Sequence, residues 1–354
     1  MLQSRELLSH FARAAQFRQL TFAFRMGSQM PKASVIIITH NRPRLLQRAV
    51  ESARTAGTDL EIVVVDNASV DETPELCKSL PDIKYVRIER KQELGGARNV
   101  GLAASRGEYV TFLDDDDVRL PNTVDQQIGV LETEPSTGLI YGQAIFADQD
   151  GNPQHRSYPR ECPQGDIFWK LLTRNFIPCG SVIFRRSCLS RAGLFDDDIP
   201  RITDWDLWVR VAELYPIIAV ETPVFVWRRS TPASGQATSQ AAKVVLVAVR
   251  QFRRRWMNLQ RAADASRESR QAAWRGFCEN MAEHLIWESA RAVRYGHFYQ
   301  ASKNLLTVRR LHPLAIAWIV KNRISRPQWT RIRDYWSETI SHADAGANRA
   351  SRKM

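Results

Sequence analysis

The sequence predicts an α/β fold whose mostly parallel sheet carries helices on both faces, followed by a helical appendage. Three observations predict it. Short β-branched runs alternate with stretches of helical spacing, the pattern of strands that all return in one direction. Each run ends in polar residues, which places them together at the carboxyl edge of the sheet, where open α/β folds bind ligands. Beyond a small, polar stretch at Ser230 to Gln240 (STPASGQATSQ), the spacing becomes almost entirely helical.

The elements follow in order. Ser34 to Thr39 (SVIIIT) is a β-branched strand run, and Pro43 to Ala56 places Leu45, Leu46, Ala49, Val50 and Ala53 at helical spacing. Leu60 to Val65 (LEIVVV) is a second strand, and Pro74 to Leu80 a short helix with Thr73 available as its cap. Ile83 to Ile88 is the third strand. A helix from Gly96 to Ser105 and a fourth strand at Tyr109 to Leu113 (YVTFL) follow. A helix after Pro121 runs to about Glu134. Leu139 to Ala147 is strand-like, and Asp150-Gly151 is a hairpin-type turn. Asp166 to Thr173 and Asp204 to Tyr215 read as helices, Ser181 to Arg185 and Ile217 to Trp227 as extended. In the appendage Trp274, Phe277, Met281 and Leu285 keep helical spacing. Phe298, Ala301 and Leu305 resume it after Gly296, predicting the second helix of a hairpin with those residues on its core face.

These readings divide the 354 residues into a basic amphipathic extension (1–30), an α/β domain (31–229), a linker (230–240), a basic helical region (241–340) and a disordered tail (341–354). The composition, 44% hydrophobic and 25% charged, excludes wholesale disorder. Five Cys with no CxxC pair argue against a disulfide framework and for a reducing, cytoplasmic compartment. No apolar run approaches the eighteen or so residues of a spanning helix, and the first thirty residues, with four Arg, show no secretory signal.

Charge is unevenly placed. Residues 31–239 hold 24 basic and 29 acidic residues, whereas residues 240–354 hold 22 basic and 8 acidic. Basic ends suit an anionic surface, either phospholipid or nucleic acid. An Arg-rich solvated helix surface is the plainer alternative. The aromatics of the tail follow core-like spacing without a nucleic-acid motif, so no nucleic-acid partner is expected.

Four polar strand ends carry the chemistry. Asp114-Asp115-Asp116-Asp117 follows a buried strand, where adjacent carboxylates repel unless a cation compensates. Mg²⁺ or Mn²⁺ would do so, and both take oxygen ligands and bridge to phosphates. In an extended segment Asp114 and Asp116 point the same way. The alternative is a solvated acidic turn. Asp66-Asn67-Ala68-Ser69 ends the second strand, with a carboxylate able to accept from a nucleobase N–H, or else an Asx-turn. Thr39-His40-Asn41-Arg42-Pro43 ends the first. Gly95-Gly96-Ala97-Arg98-Asn99 opens a helix, where backbone N–H groups and Arg98 could face a diphosphate. Together these suit a nucleoside-diphosphate site with a metal.

The chain resembles glycosyltransferase family 2, inverting nucleotide-sugar transferases of the GT-A fold. The resemblance is carried by SVIIITHNRP (Ser34 to Pro43), EIVVVDNASVDET (Glu61 to Thr73), LGGARNVGLAASRGEYVTFLDDDD (Leu94 to Asp117) and TDWDLWVR (Thr203 to Arg210), and covers about residues 32–229. It implies that Asp66 contacts the nucleobase, usually uracil. It also implies that Asp114 and Asp116 are the outer members of the family's Asp-x-Asp motif, binding metal and donor diphosphate, with Asp117 the residue that commonly follows. Asp204 matches the Asp of the Glu-Asp motif, the catalytic base. Thr39, Asn41, Arg42, Asn67, Arg98, Asp115 and Arg228 complete the expected donor site. Two departures stand out: Thr203 replaces the usual Glu, and Trp227-Arg228-Arg229-Ser230-Thr231 lacks a His that many members carry, so that Arg228 or Arg229 would face the diphosphate instead. Asp206 reads as an ordinary surface or helix-start residue.

The resemblance implies a metal-dependent transfer from a nucleoside-diphosphate sugar, UDP-linked, to a glycan or lipid-linked acceptor in cell-surface polysaccharide synthesis. A sugar nucleotidyltransferase shares the sheet and metal logic but wants a Gly-rich loop after the first strand, where Thr39 to Pro43 has none. The remaining alternative is a nucleic-acid binder using the basic tail. Residues 1–29 place Leu7, Leu8, Phe11, Ala15 and Leu20 among four Arg, an amphipathic pattern expected to hold the chain on the inner face of an anionic membrane.

Overall fold

The computed structural model describes residues 30–148, 150–228 and 240–313. Nine strands form one mixed sheet: β1 (Ala33–Thr39), β2 (Leu60–Asn67), β3 (Ile83–Ile88), β4 (Tyr109–Asp114), β5 (Val118–Arg119), β6 (Leu139–Ala147), β7 (Pro153–Tyr158), β8 (Ile183–Arg185) and β9 (Ile217–Arg228). Their order is β3-β2-β1-β4-β8-β6-β9-β5, with β7 paired to β6. β3, β2, β1 and β4 are mutually parallel, β8 is antiparallel to β4 and β6, and β9 runs parallel to β6.

The parallel half is built by α1 (Pro43–Arg54), α2 (Thr73–Ser79) and α3 (Leu94–Ala104), one crossover per strand pair. α1 buries Leu46, Ala49, Val50 and Ala53, the stripe its spacing predicts, against Val35, Ile37, Ile62, Val64 and Leu113. α3 lies so close to the sheet that a Cβ on Gly101 would stand 2.4 Å from Ile36 Cγ2. α4 (Thr123–Thr133) covers Tyr109, Ile140 and Ile183 with Val124, Ile128 and Leu131.

The second half adds α5 (Phe168–Thr173), α6 (Thr203–Leu214), α7 (Ala241–Arg254), α8 (Arg267–Arg294) and α9 (Phe298–Leu311). Observed boundaries differ from the sequence reading by one or two residues: α5 starts at Phe168 and not Asp166, α3 at Leu94 and not Gly96, and β8 at Ile183 and not Ser181. The described residues form one compact unit up to Phe277 and a second from Cys278 onward. None of the five cysteines forms a disulfide. Among the described residues, no helix is long and apolar enough to cross a membrane. The expected amphipathic segment at 1–29, Arg229, most of the 230–240 linker and the 341–354 tail lie outside the described residues.

Two expectations need correction. Asp206 is not a surface residue: it is fully buried and accepts from Arg210 Nε and Trp256 Nε1, both at 2.9 Å. A carboxylate on a helix can be buried when cations and an indole N–H take its lone pairs. On α9, Ala301 is buried as expected, but Phe298 and Leu305 are exposed. The buried side is Ala301, Asn304, Thr307 and Val308. Spacing alone cannot say which of two faces packs.

Candidate functional site at the carboxyl edge of the sheet

Register brings the polar strand ends together. Thr39 stands opposite Asp66 between β1 and β2, Ile38 opposite Asp114 between β1 and β4, and Asp66 opposite Arg87 between β2 and β3. One edge therefore carries Thr39 to Arg42, Asp66 to Ser69, Arg87 and the Asp run.

The chain after β1 and β2 turns sharply, with Asn41 (φ 56°) and Ala68 (φ 63°) in left-handed conformations. Asn41 joins the two turns: its Oδ1 accepts from Val70 N at 2.8 Å and its N–H donates to Ser69 Oγ at 2.9 Å. Asp66, fully buried, accepts from Ser69 N (2.8 Å), Tyr85 OH (3.0 Å) and Arg87 Nη1 (2.8 Å). A carboxylate offers about four acceptor positions, so about one remains. Asn67 exchanges two hydrogen bonds with the Gln92 backbone, both 2.9 Å, fixing the loop that leads into α3. Arg87 was not singled out by the sequence reading. Its place opposite Asp66 follows from pairing β2 with β3 in register, which sequence alone did not supply.

The Asp run splits by side. Asp115 turns inward and accepts from Thr39 Oγ1 (2.8 Å) and Arg42 Nη1 (2.8 Å). Asp114, Asp116 and Asp117 gather on the other side, with one oxygen of each within 4.8 Å of the others. Compensation is partial. Arg42 Nη1 lies 3.4 Å from Asp116, Arg98 Nη2 lies 3.6 Å from Asp114, and Arg228 N–H donates to Asp117 at 2.9 Å. Burial, with Asp114 and Asp115 nearby, pushes Asp116 up to about 7. Burial also raises Asp117 well above the ordinary carboxylate value, reinforced by Asp114 and Asp116. Three converging, under-compensated carboxylates are a hard oxygen donor set that fits Mg²⁺ or Mn²⁺. The sequence reading expected Asp114 and Asp116 there. The chain turn after β4 adds Asp117.

Arg98 links this cluster to α6. Its guanidinium is buried under the rings of Phe112 and Phe195, 5.6 and 5.5 Å from their centroids, and it donates to Thr203 Oγ1 at 3.2 Å. The Gly pair before it serves packing: a Cβ on Gly95 would stand 2.7 Å from the Asp196 carbonyl oxygen. Asp204, half-buried in the first turn of α6, has Asn175 Nδ2 at 3.4 Å. Ile177 N–H holds the Asn175 amide oxygen at 3.1 Å, which fixes that side chain. Burial raises the Asp204 carboxyl above its ordinary value, and Arg98 draws it back. Thr39, Asn41, Arg42, Asp66, Asn67, Asp114, Asp115 and Asp116 thus share one edge, with Arg98, Asp204 and Arg228 joined to it through α3, α6 and β9.

Residues 34–191 match the family model described as Glycosyl transferase family 2. The chain carries a family 2 glycosyltransferase domain. An uncharacterized glycosyltransferase of Methanocaldococcus jannaschii is 25% identical over 236 residues, 64% of this chain and 80% of that protein. One from Nostoc sp. is 31% identical over 193 residues, 52% of this chain and 58% of the relative. The succinoglycan biosynthesis protein ExoO of Rhizobium meliloti is 35% identical over 103 residues, 28% and 30% of the two chains. This chain therefore spans less than two thirds of the latter two. The crystal structure of S. aureus TarS 1–349 in complex with UDP-GlcNAc superposes with a TM-score of 0.51 at 16% identity, over 80% of this chain and 91% of that one. The fold of the family 2 domain is the GT-A arrangement. Asp204 and Arg228 lie beyond the matched residues, and the pairing of β9 with β6 makes that later segment part of the same sheet.

Proposed function

We propose that this glycosyltransferase moves a sugar from a UDP-linked donor to an acceptor hydroxyl, with inversion at the anomeric carbon, in the synthesis of a surface polysaccharide. The observation that carries the reading is the bridge from the acidic cluster through Arg98 to Thr203, beside Asp204. One end of that bridge suits a donor diphosphate with its cation, and the other suits a base. The UDP-GlcNAc held by TarS and the succinoglycan role of ExoO support donor and product class.

In this reading Asp114, Asp116 and Asp117 hold a divalent cation. When bound, that cation offsets charge growing on the leaving diphosphate. Arg98 and Arg228 add fixed positive charge on the same side, and Arg42 keeps Asp115 and Asp116 oriented. Asp66, with Arg87 beside it, meets the nucleobase. Asn41 and Asn67 hold the loops that frame it. Asp204 takes the proton from the acceptor hydroxyl as oxygen attacks the anomeric carbon from the face opposite the diphosphate. Asn175 keeps one Asp204 oxygen directed. The site works in the cytoplasm, at a membrane where a lipid-linked acceptor resides.

A panel of nucleotide sugars incubated with the full chain and Mn²⁺, read by release of free nucleoside diphosphate, tests the proposal. Turnover is expected with a UDP-sugar. Absence of turnover or binding with every donor would contradict it.

A further inference from the structure

Helix α9 is built with its larger apolar side chains outward. It buries Ala301, Asn304, Thr307 and Val308, and exposes Phe298 (67%), Tyr299 (73%), Leu305 and Leu306 (56%). Val293 and Tyr295, on the approach to the Gly296 turn, are exposed as well. Among the described residues nine large apolar side chains are exposed, and six of them fall within 293–306. Scattered exposed apolar residues are ordinary, but a concentration on one hairpin marks an interaction surface.

The charge of the same hairpin identifies the occupant. From Ser289 to Pro313 the sequence contains no Asp or Glu. Arg294, Lys303, Arg309 and Arg310 are exposed there, and Lys303 Nζ sits 4.3 Å from the Tyr299 ring centroid. Aromatic and leucine side chains interleaved with cations match the headgroup region of an anionic bilayer. There rings lie at the interface, apolar tips enter the acyl boundary, and cations meet phosphates. A second copy would bring four more cations against these four, with no acid between Ser289 and Pro313 of either copy to offset them.

We propose that the exposed face of α9 and its preceding turn is a docking surface for an anionic phospholipid membrane. Phe298, Tyr299 and Leu306 insert, while Lys303, Arg309 and Arg310 pair with headgroups. This places membrane attachment on a folded helix of the basic C-terminal region, and it does not depend on the sugar-transfer reading.

The test is co-sedimentation of the full chain with vesicles of phosphatidylglycerol mixed into phosphatidylcholine, and of phosphatidylcholine alone. Two variants are compared: Phe298→Ser/Tyr299→Ser/Leu306→Ser, and Arg309→Glu/Arg310→Glu. All five positions are exposed, so unchanged melting curves are expected. The wild type should bind anionic vesicles and only weakly bind neutral ones. The apolar variant should bind about tenfold or more weakly, since fully burying one such side chain gives about that factor. The charge variant should lose affinity at low salt, about fivefold for each removed cation. Wild type that ignores anionic vesicles, or variants that bind as wild type does, would overturn the proposal. So would a dimer in sedimentation velocity that only the apolar variant abolishes, with vesicle binding unaffected.

Discussion

Trp256 donates its indole N–H to Asp206 Oδ1 at 2.9 Å, fastening the segment after α7 to the helix that carries Asp204. Asp206 is the centre of a buried cluster. Arg210 Nε binds its other oxygen, Arg255 Nη1 lies 3.6 Å from it, and Arg255 also reaches Asp196. Trp256 packs 4.9 Å, ring centroid to ring centroid, from Trp205, the residue between Asp204 and Asp206. The residues after the sheet therefore help set the position of the first turn of α6.

Asp206→Ala should destabilise the chain by about 3–5 kcal/mol, because it leaves Arg210 buried without its carboxylate. Trp256→Phe keeps most of the packing and removes one donor to a charged group, a loss of about 2 kcal/mol. Urea denaturation monitored by circular dichroism measures both. A change below about 0.5 kcal/mol in Asp206→Ala would show that the cluster contributes little.

Asp204→Asn preserves shape and removes basicity. The turnover number should fall by roughly 10²-fold or more, the usual scale for a general base, with donor affinity near wild type. Burial raises the Asp204 carboxyl, so wild-type turnover should climb with pH through a midpoint above the ordinary Asp value, as the base loses its proton. Asn175→Ala removes a donor that favours the ionised form. That midpoint should move further up and turnover should drop by about tenfold at neutral pH. A variant Asp204→Asn that loses donor binding but keeps turnover at saturation would assign Asp204 to the donor site.

Much of this was legible in the sequence because strands and their polar ends are local signals. Ser34 to Thr39 and Tyr109 to Leu113 became β1 and β4, and Asp114 and Asp116 did come together, through a turn at 115–116 and not through the extended alternation the sequence suggested. What was not legible depends on partners distant in sequence. Asp206 looked exposed because its neutralising groups include Arg255 and Trp256, some fifty residues on. Asn175 sits in a loop without a motif of its own, and only folding brings it to Asp204. Asp117 joined the carboxylates because its backbone N–H turns back to Asp114 O at 3.0 Å. The outward face of α9 was missed because Phe298 and Leu305 carry a core-like period on the exposed side.

Arg87→Ala tests the nucleobase end. Arg87 lies opposite Asp66 and shares its oxygen with Tyr85 OH. Its removal should weaken UDP binding by about tenfold, the scale of one charge-assisted hydrogen bond, with turnover at saturating donor little changed. Equal UDP affinity in the variant and the wild type, by fluorescence or calorimetric titration, would place the base elsewhere.

Calorimetric titration of UDP into the full chain, with Mn²⁺ and again in excess EDTA, tests the central claim most directly when repeated on Asp116→Ala. The Asp116 side chain serves the acidic cluster and not the apolar core, so the variant should fold normally. The expected result is Mn²⁺-dependent UDP binding by the wild type, and binding at least about tenfold weaker, with no Mn²⁺ dependence, in the folded variant. UDP binding of equal strength in Mn²⁺ and in EDTA, or undiminished in Asp116→Ala, would contradict a metal–diphosphate site at the end of β4.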